Sequence, residues 1–275
     1  VAQPKPVELP SHGSYSSLSS YLDCGWRYYL ERVQKIPENP AWYFIGGSAV
    51  HAATEAHDRG VLATAERLFH DAFEAELAER TATTDVPEEL WIAGGRATKE
   101  WPEKHNRAWW LAKGPAMVQG WIDWRARSGW QIWSPTDDAT LGVELALMVN
   151  LGDVPVKMFV DRVMVTPDGQ LVVVDIKTGN TEPESATQLG LYACGLELTF
   201  GIRPQLGAFW MAKSGDLGQV TDLDHLTPAL MGSWISDWNK ARRAGIFIPH
   251  PTRRCRTCGV KDYCAAVGGK KASEV

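Results

Sequence analysis

The stretch VKMFVDRVMVTPDGQLVVVDIKTG, residues 156–179, decides how this chain is read. Two β-rich runs, Met158 to Val165 and Leu171 to Ile176, flank the turn signal Thr166-Pro167-Asp168-Gly169 and predict a β-hairpin. Pairing symmetric about Asp168 sets Asp161 opposite Asp175, with Cβ atoms about 4.5–5.5 Å apart. Side chains alternate along a strand, so Asp175 and Lys177 share a face and Ile176 points the other way. Two carboxylates and an ammonium then occupy one patch.

That patch suits a hard divalent cation such as Mg²⁺ or Mn²⁺, which takes one or two carboxylates plus water and phosphate oxygens. A cation held there makes water a usable nucleophile near neutral pH, and a nearby lysine can orient that water or neutralise charge on a phosphate. The chemistry implied is metal-assisted phosphodiester hydrolysis. The alternative is an exposed hairpin whose Asp and Lys residues form ordinary ion pairs of about 0–1 kcal/mol.

Residues on either side add polar groups. Gly46-Gly47 followed by Ser48-Ala49-Val50-His51 reads as the start of a helix running to about Arg80, with His51 in its first turns. An imidazole there is a candidate metal ligand or an ordinary helix histidine. Gln188 and Tyr192, four apart on a helix expected from Pro183 to about Thr199, share a face and offer polar tips to a phosphate or base. Tyr192 also reads as a packing residue. Glu144, in the β-rich run Leu141 to Val149, is open between touching a second metal, positioning substrate and facing solvent.

A second constellation is Cys255-x-x-Cys258-x5-Cys264, with Cys24 far upstream. A two-residue spacer lets both thiolates reach one ion or cluster, which makes the trio a metal knuckle. Zinc sites more often show two such pairs. Cys194, without a metal-spaced partner, reads as a buried thiol. Cysteines at metal spacing, with no secretory signal visible in a first segment holding three prolines, point to a reducing compartment, and a cytoplasmic protein is expected. No apolar run reaches the roughly 18–20 residues of a membrane span.

The acidic residue of one strand meeting Asp175-Ile176-Lys177 on the next resembles the PD-(D/E)xK nuclease core. Gly47-x-x-x-His51, Glu144 and Gln188-x-x-x-Tyr192 resemble its RecB-like branch. Val160 stands where the family has a proline before the first acid, a position that ligates nothing. Ser14-Tyr15-Ser16-Ser17-Leu18, Tyr21, Cys24 and Trp26-Arg27-Tyr28-Tyr29 resemble the opening helix and cysteine of the iron-sulfur members, which include AddB-type subunits and CRISPR-associated exonucleases. The resemblance covers most of residues 14–265. It implies a restriction-endonuclease-like α/β fold and a metal held by His51, Asp161, Asp175 and the Ile176 carbonyl, with Lys177 assisting the water. It further implies a 4Fe–4S cluster on Cys24, Cys255, Cys258 and Cys264, with zinc as the other occupant of those thiolates. The activity implied is that of a DNA exonuclease acting on ends or single strands, alone or with recombination, repair or CRISPR adaptation proteins. An endonuclease, or an accessory protein that binds DNA without cutting it, is the alternative.

With 275 residues the chain can bury a sizeable core, and helices around a mixed central sheet make the expected class α/β. The expected organisation is a flexible tail at 1–13, one nuclease domain at 14–265 and a second tail at 266–275. Within the domain lie a helical, Trp-rich part at 46–133, a catalytic core at 141–225, and a C-terminal helix and cysteine loop at 226–265. Predicted helices cover 14–34, 46–80, a Trp-rich helical region at 88–131, 183–199 and 226–244; predicted strands cover 141–150, 156–166, 170–178, about 205–213 and about 218–223. Eight of the thirteen tryptophans fall between Trp91 and Trp133. Most read as core, and a stacking platform for bases at Trp109 and Trp110 is the alternative. The net charge of −5 does not announce a nucleic-acid binder, but residues 240–271 carry nine Lys or Arg against Asp262 alone. Arg253, Arg254 and Arg256 are candidate phosphate contacts, and Lys270 and Lys271 a solvated tail. A Walker-type phosphate loop is absent, so the chain alone is no helicase-nuclease.

Overall fold

A computed structural model describes residues 8–135 and 141–275. In chain order the elements are α1 (Tyr15–Asp23), α2 (Gly25–Tyr28) leading into a π-turn (Tyr29–Val33), α3 (Trp42–Asp58), α4 (Ala65–Ala82) and α5 (Arg107–Ser128). There follow β1 (Gln131–Ile132), β2 (Val143–Leu151), β3 (Val154–Val165), β4 (Leu171–Lys177), α6 (Thr187–Phe200), β5 (Leu206–Met211), β6 (Asp216–Leu217), β7 (Thr221–Asp222) and α7 (Pro228–Arg243). The sheet order is β1-β3-β4-β5-β6, with β2 also paired to β3 and β7 to β5. β3 and β4 are antiparallel, whereas β4 and β5 are parallel and joined through α6. The class is therefore α/β with a mixed sheet flanked by helices, as expected.

The chain forms two compact units, each built from separate segments. One comprises residues 40–147 and 159–226, and the other residues 1–39, 148–158 and 227–275. The larger unit holds a core in which α3, α4 and α5 bury Trp42, Phe69, Phe73, Trp110 and Trp121 together with Val172, Val174, Ile176 and Trp210 from the sheet. Trp109 and Trp110 are both buried in this core. In the smaller unit, Tyr28 packs edge-on to Trp238 and stacks on Phe247.

Several element boundaries differ from the sequence expectation. The helix expected over 14–34 starts with the Ser14 cap but breaks at Cys24, whose backbone is extended. There Gly25 lies so close to the chain at Ile248 that a Cβ would sit 2.8 Å from the Ile248 amide nitrogen. The helix expected over 46–80 is two helices. α3 ends before Gly60, which takes φ +86°, and α4 restarts at Thr64, whose hydroxyl accepts from the Arg67 amide. α3 also begins at Trp42, so Gly46-Gly47 lies inside the helix and does not start it. Both glycines serve close packing: a Cβ on Gly46 would fall 1.9 Å from Trp110 Cδ2, and one on Gly47 3.3 Å from Thr178 Oγ1. His51 is thereby in mid-helix. The Trp-rich part carries a single turn at Glu88–Leu90 before α5, and α6 starts at Thr187, after the Pro183–Ala186 loop.

Gly13, expected in a flexible tail, bridges Val156, with its amide donating to Pro155 O at 2.8 Å; residues 1–7 of that tail lie outside the described residues. The expected tail at 266–275 is turned back on itself, with the Lys271 amide donating to Asp262 O at 2.7 Å. Among the described residues, no helix is long and apolar enough to cross a membrane.

Candidate active site

The β3–β4 turn closes through the Gly169 amide on Thr166 O, with Gly169 at φ +85°, a conformation that disfavours any side chain. This turn sets the register: Val165 pairs with Leu171, Met164 with Val172, Val163 with Val173 and Arg162 with Val174. One step further, the Asp161 side chain itself takes up the ladder's role, its Oδ2 accepting the Ile176 amide at 2.8 Å. Asp161 and Asp175 are 6% and 1% exposed, so the predicted carboxylate patch is buried, unlike an ordinary surface ion pair. Alternation places Lys177 beside Asp175, Nζ to Oδ2 2.6 Å, while Ile176 packs into the opposite core. The lysine contact is close but misaligned for a hydrogen bond, so Asp175 Oδ2 is buried without one.

Gln188 and Tyr192, on one face of α6, close a ring on these two groups. Lys177 Nζ donates to Gln188 Oε1 at 2.8 Å, Gln188 Nε2 to the Tyr192 hydroxyl at 2.8 Å, and that hydroxyl to Asp175 Oδ1 at 3.2 Å. Burial, and then Asp175 and Asp161, push the Tyr192 hydroxyl well above its usual range, so it stays a donor.

On the other side of Asp161, α3 presents His51. Its Nδ1 is 3.3 Å from Asp161 Oδ2 and 3.6 Å from Glu144 Oε1. Ligand atoms of His51, Glu144 and Asp161 all lie within 4.8 Å of one another, the one such trio among the described residues. Burial works against the His51 imidazolium, but Asp161 and then Glu144 outweigh it and raise its pKa to about 9. Burial, reinforced by Asp175, raises Asp161 to about 7. Glu144 is lowered: burial opposes ionisation, but His51 and Arg162 overcome it. Its backbone takes φ +46°, a left-handed conformation strained for a residue with a side chain. Such crowding of acids around one imidazole, with an orphaned carboxylate oxygen alongside, is the donor set a hard divalent cation takes. The tight trio contains Glu144; Asp175 is turned toward Lys177 and Tyr192.

Two residues of this region escaped the sequence reading. Arg162 is fully buried and donates to Asp58 Oδ2 (2.7 Å), Thr54 Oγ1 (3.1 Å), Glu144 Oε1 (3.3 Å) and the Asp161 carbonyl (2.6 Å). Asp58, at the end of α3, also accepts from Trp121 Nε1 and Arg125 Nε. The signal was present: Arg162 sits on the core-facing side of a strand, between Val160 and Met164, where a charge needs a buried partner.

The smaller unit holds four of the five cysteines. The His250 amide donates to Cys24 Sγ and the Thr252 amide to Cys255 Sγ, both at 3.3 Å, so one short segment holds a thiol from each end of the chain. Cys24, Cys255, Cys258 and Cys264 are all free and half-buried, and burial raises the Cys258 thiol. Two of these thiols accept backbone amides, but among the described residues no three of the four come within 4.8 Å of one another. Cys194 belongs to the larger unit and is fully buried, its thiol donating to Leu226 O. Of the basic residues between 240 and 271, Arg242 is buried against Trp238 and Tyr28, whereas Arg254 is exposed and pairs with Asp23.

Comparison with known proteins agrees with this arrangement. The model of the PD-(D/E)XK nuclease superfamily matches residues 12–265. The chain is 29% identical to the Gene 69 protein of Mycobacterium phage D29 over 283 positions, covering 94% of this chain and 97% of that protein. It is 27% identical to the Gene 69 protein of Mycobacterium phage L5 over 290 positions, covering 91% and 95%.

Proposed function

The chain belongs to the PD-(D/E)XK nuclease superfamily, and from that premise we propose that it is a metal-dependent DNA exonuclease acting on ends or single strands in recombination, repair or CRISPR adaptation. The observation that carries the reading is the buried join between the His51–Glu144–Asp161 trio and the Asp175–Lys177 pair. Mg²⁺ or Mn²⁺ would be held by His51 and Asp161, with Glu144, Asp175 or the Ile176 carbonyl completing the set. Bound there, it supplies Lewis acidity toward the phosphate and a more acidic water. The chain's own groups do the rest. Lys177, held by Asp175 and Gln188, orients the attacking water and balances charge growing on the phosphate. Tyr192 aims Asp175 by donating to its Oδ1. The Ile176 amide does the same for Asp161.

In the smaller unit, the proposed occupant of Cys24, Cys255, Cys258 and Cys264 is a 4Fe–4S cluster, which would tie residue 24 to the C-terminal segment. Iron, sulfide and broad visible absorbance after anaerobic purification support it; a colourless protein with stoichiometric zinc rules it out.

The activity is tested by nucleotide release from end-labelled single-stranded and duplex DNA with Mg²⁺ or Mn²⁺, wild type against Lys177→Ala, with closed circular DNA alongside. Metal-dependent cutting of linear DNA that is lost in the variant supports the exonuclease. Cutting of circles replaces it with an endonuclease. A folded wild type that binds DNA and cuts nothing under any of these conditions points to an accessory protein or to a nuclease that needs a partner.

A further inference from the structure

Beside the catalytic strand lies a cation that the mechanism above does not use. Lys177 pairs with Met211 across β4 and β5, and the Ala212 amide donates to the Lys177 carbonyl at 2.9 Å, which brings Lys213 to the same end of the sheet as Lys177. Its Nζ donates to Asn180 Oδ1 at 2.6 Å and stands 5.2 Å from the ring centroid of Trp109. The His105 ring stacks on that indole at 3.7 Å and 14°, seated against Gly95, where any Cβ would collide with the imidazole. Burial lowers the Lys213 ammonium and is its sole perturbation, so among the described residues no carboxylate compensates it. His105 is lowered by burial and by Lys213.

An ammonium held by a neutral amide and the face of an indole has no opposite charge among the described residues as its partner. The amide and the ring fix its direction and leave donor capacity for an anion. Lys113, which also stands over an indole, that of Trp101, differs in having an acidic partner, Glu100. Thr178 and Gly179 link Lys177 to Asn180, and Thr178 lies against Gly47 of α3, one turn ahead of His51.

We infer that Lys213, positioned by Asn180 and the His105–Trp109 stack, is a binding residue for a backbone phosphate of the DNA strand next to the one being cleaved. The subsite rests on the nuclease reading for its substrate. Lys213 is exposed, so its substitution leaves the core intact.

The test compares wild type, Lys213→Gln and Lys213→Arg in two assays over a NaCl series: anisotropy of a labelled single strand with the metal-free protein, and steady-state cleavage with Mn²⁺. The expected result for Lys213→Gln is about 3–10-fold weaker binding, a KM raised to match with kcat within about twofold, and a slope of log K on log[salt] shallower by about one. Lys213→Arg restores binding. Unchanged affinity and slope in Lys213→Gln overturn the inference, as does equal weakening in both variants, which would mark lost loop packing. A wild type that binds but does not cut overturns the nuclease reading alone, because the anisotropy comparison still decides the subsite.

Discussion

Arg162 and Asp58, 104 positions apart in sequence, form an ion pair of 2.7 Å whose side chains are 0% and 1% exposed. Arg162 also reaches Glu144 and the Asp161 carbonyl, so the pair braces the back of the proposed metal site. Removing one partner leaves a buried charge alone, which costs about 3–5 kcal/mol. Asp58→Ala should therefore lower the urea midpoint strongly, and Asp58→Leu combined with Arg162→Met should recover much of the loss. A loss below about 1 kcal/mol in Asp58→Ala would show that the pair does not brace the fold.

Metal binding requires a neutral imidazole and an ionised carboxylate. Asp161 titrates near 7 and His51 near 9, both above their ordinary values, so protons compete with the metal across the neutral range. Below pH 7 two protons must leave, between 7 and 9 one, and above 9 none. Mn²⁺ affinity measured by calorimetry on metal-free protein should climb by about 100-fold per pH unit below 7, about tenfold per unit from 7 to 9, and then level. A flat profile from pH 6 to 9 would remove both residues from the ligand set.

The Lys177–Gln188–Tyr192–Asp175 ring predicts graded effects on turnover. Lys177→Ala, which removes the ammonium proposed to orient the attacking water, should lower single-turnover rates by about 10²–10⁴-fold. Tyr192→Phe keeps the ring's packing and breaks the hydroxyl's two hydrogen bonds, of about 0.5–1.5 kcal/mol each, for a loss of about 5–150-fold. Equal losses in both variants would mean that the tyrosine takes part directly.

Gly46 and Gly47 separate packing from approach. Gly46→Ala drives a methyl into the Trp110 ring and should destabilise by about 1–3 kcal/mol in urea. Gly47→Ala meets only the Thr178 hydroxyl at 3.3 Å and should keep most of its stability. If the two variants unfold alike, the α3–α5 contact is looser than described.

What could be read before the fold was known came from short-range rules. The turn at Thr166–Gly169 and the period of two along the strands specify the hairpin register and put Asp175 and Lys177 on one face, because both depend only on neighbouring backbone geometry. The four-residue spacing of Gln188 and Tyr192 on one helix face is legible for the same reason. The break at Gly60 is not legible as one, despite its glycine and the Thr64 cap, because the apolar pattern on either side reads as one helix.

The sequence by itself thus determined the α/β class, the hairpin and the residue types of the site. Only the tertiary structure decided that Glu144 joins His51 and Asp161, that Arg162 finds Asp58, that Lys213 rests over Trp109, and that the thiols of Cys24 and Cys255 meet one segment. Each of these contacts joins residues remote in the chain or depends on how a buried charge finds its partner, and such pairings are set by packing of the core and not by any local periodicity.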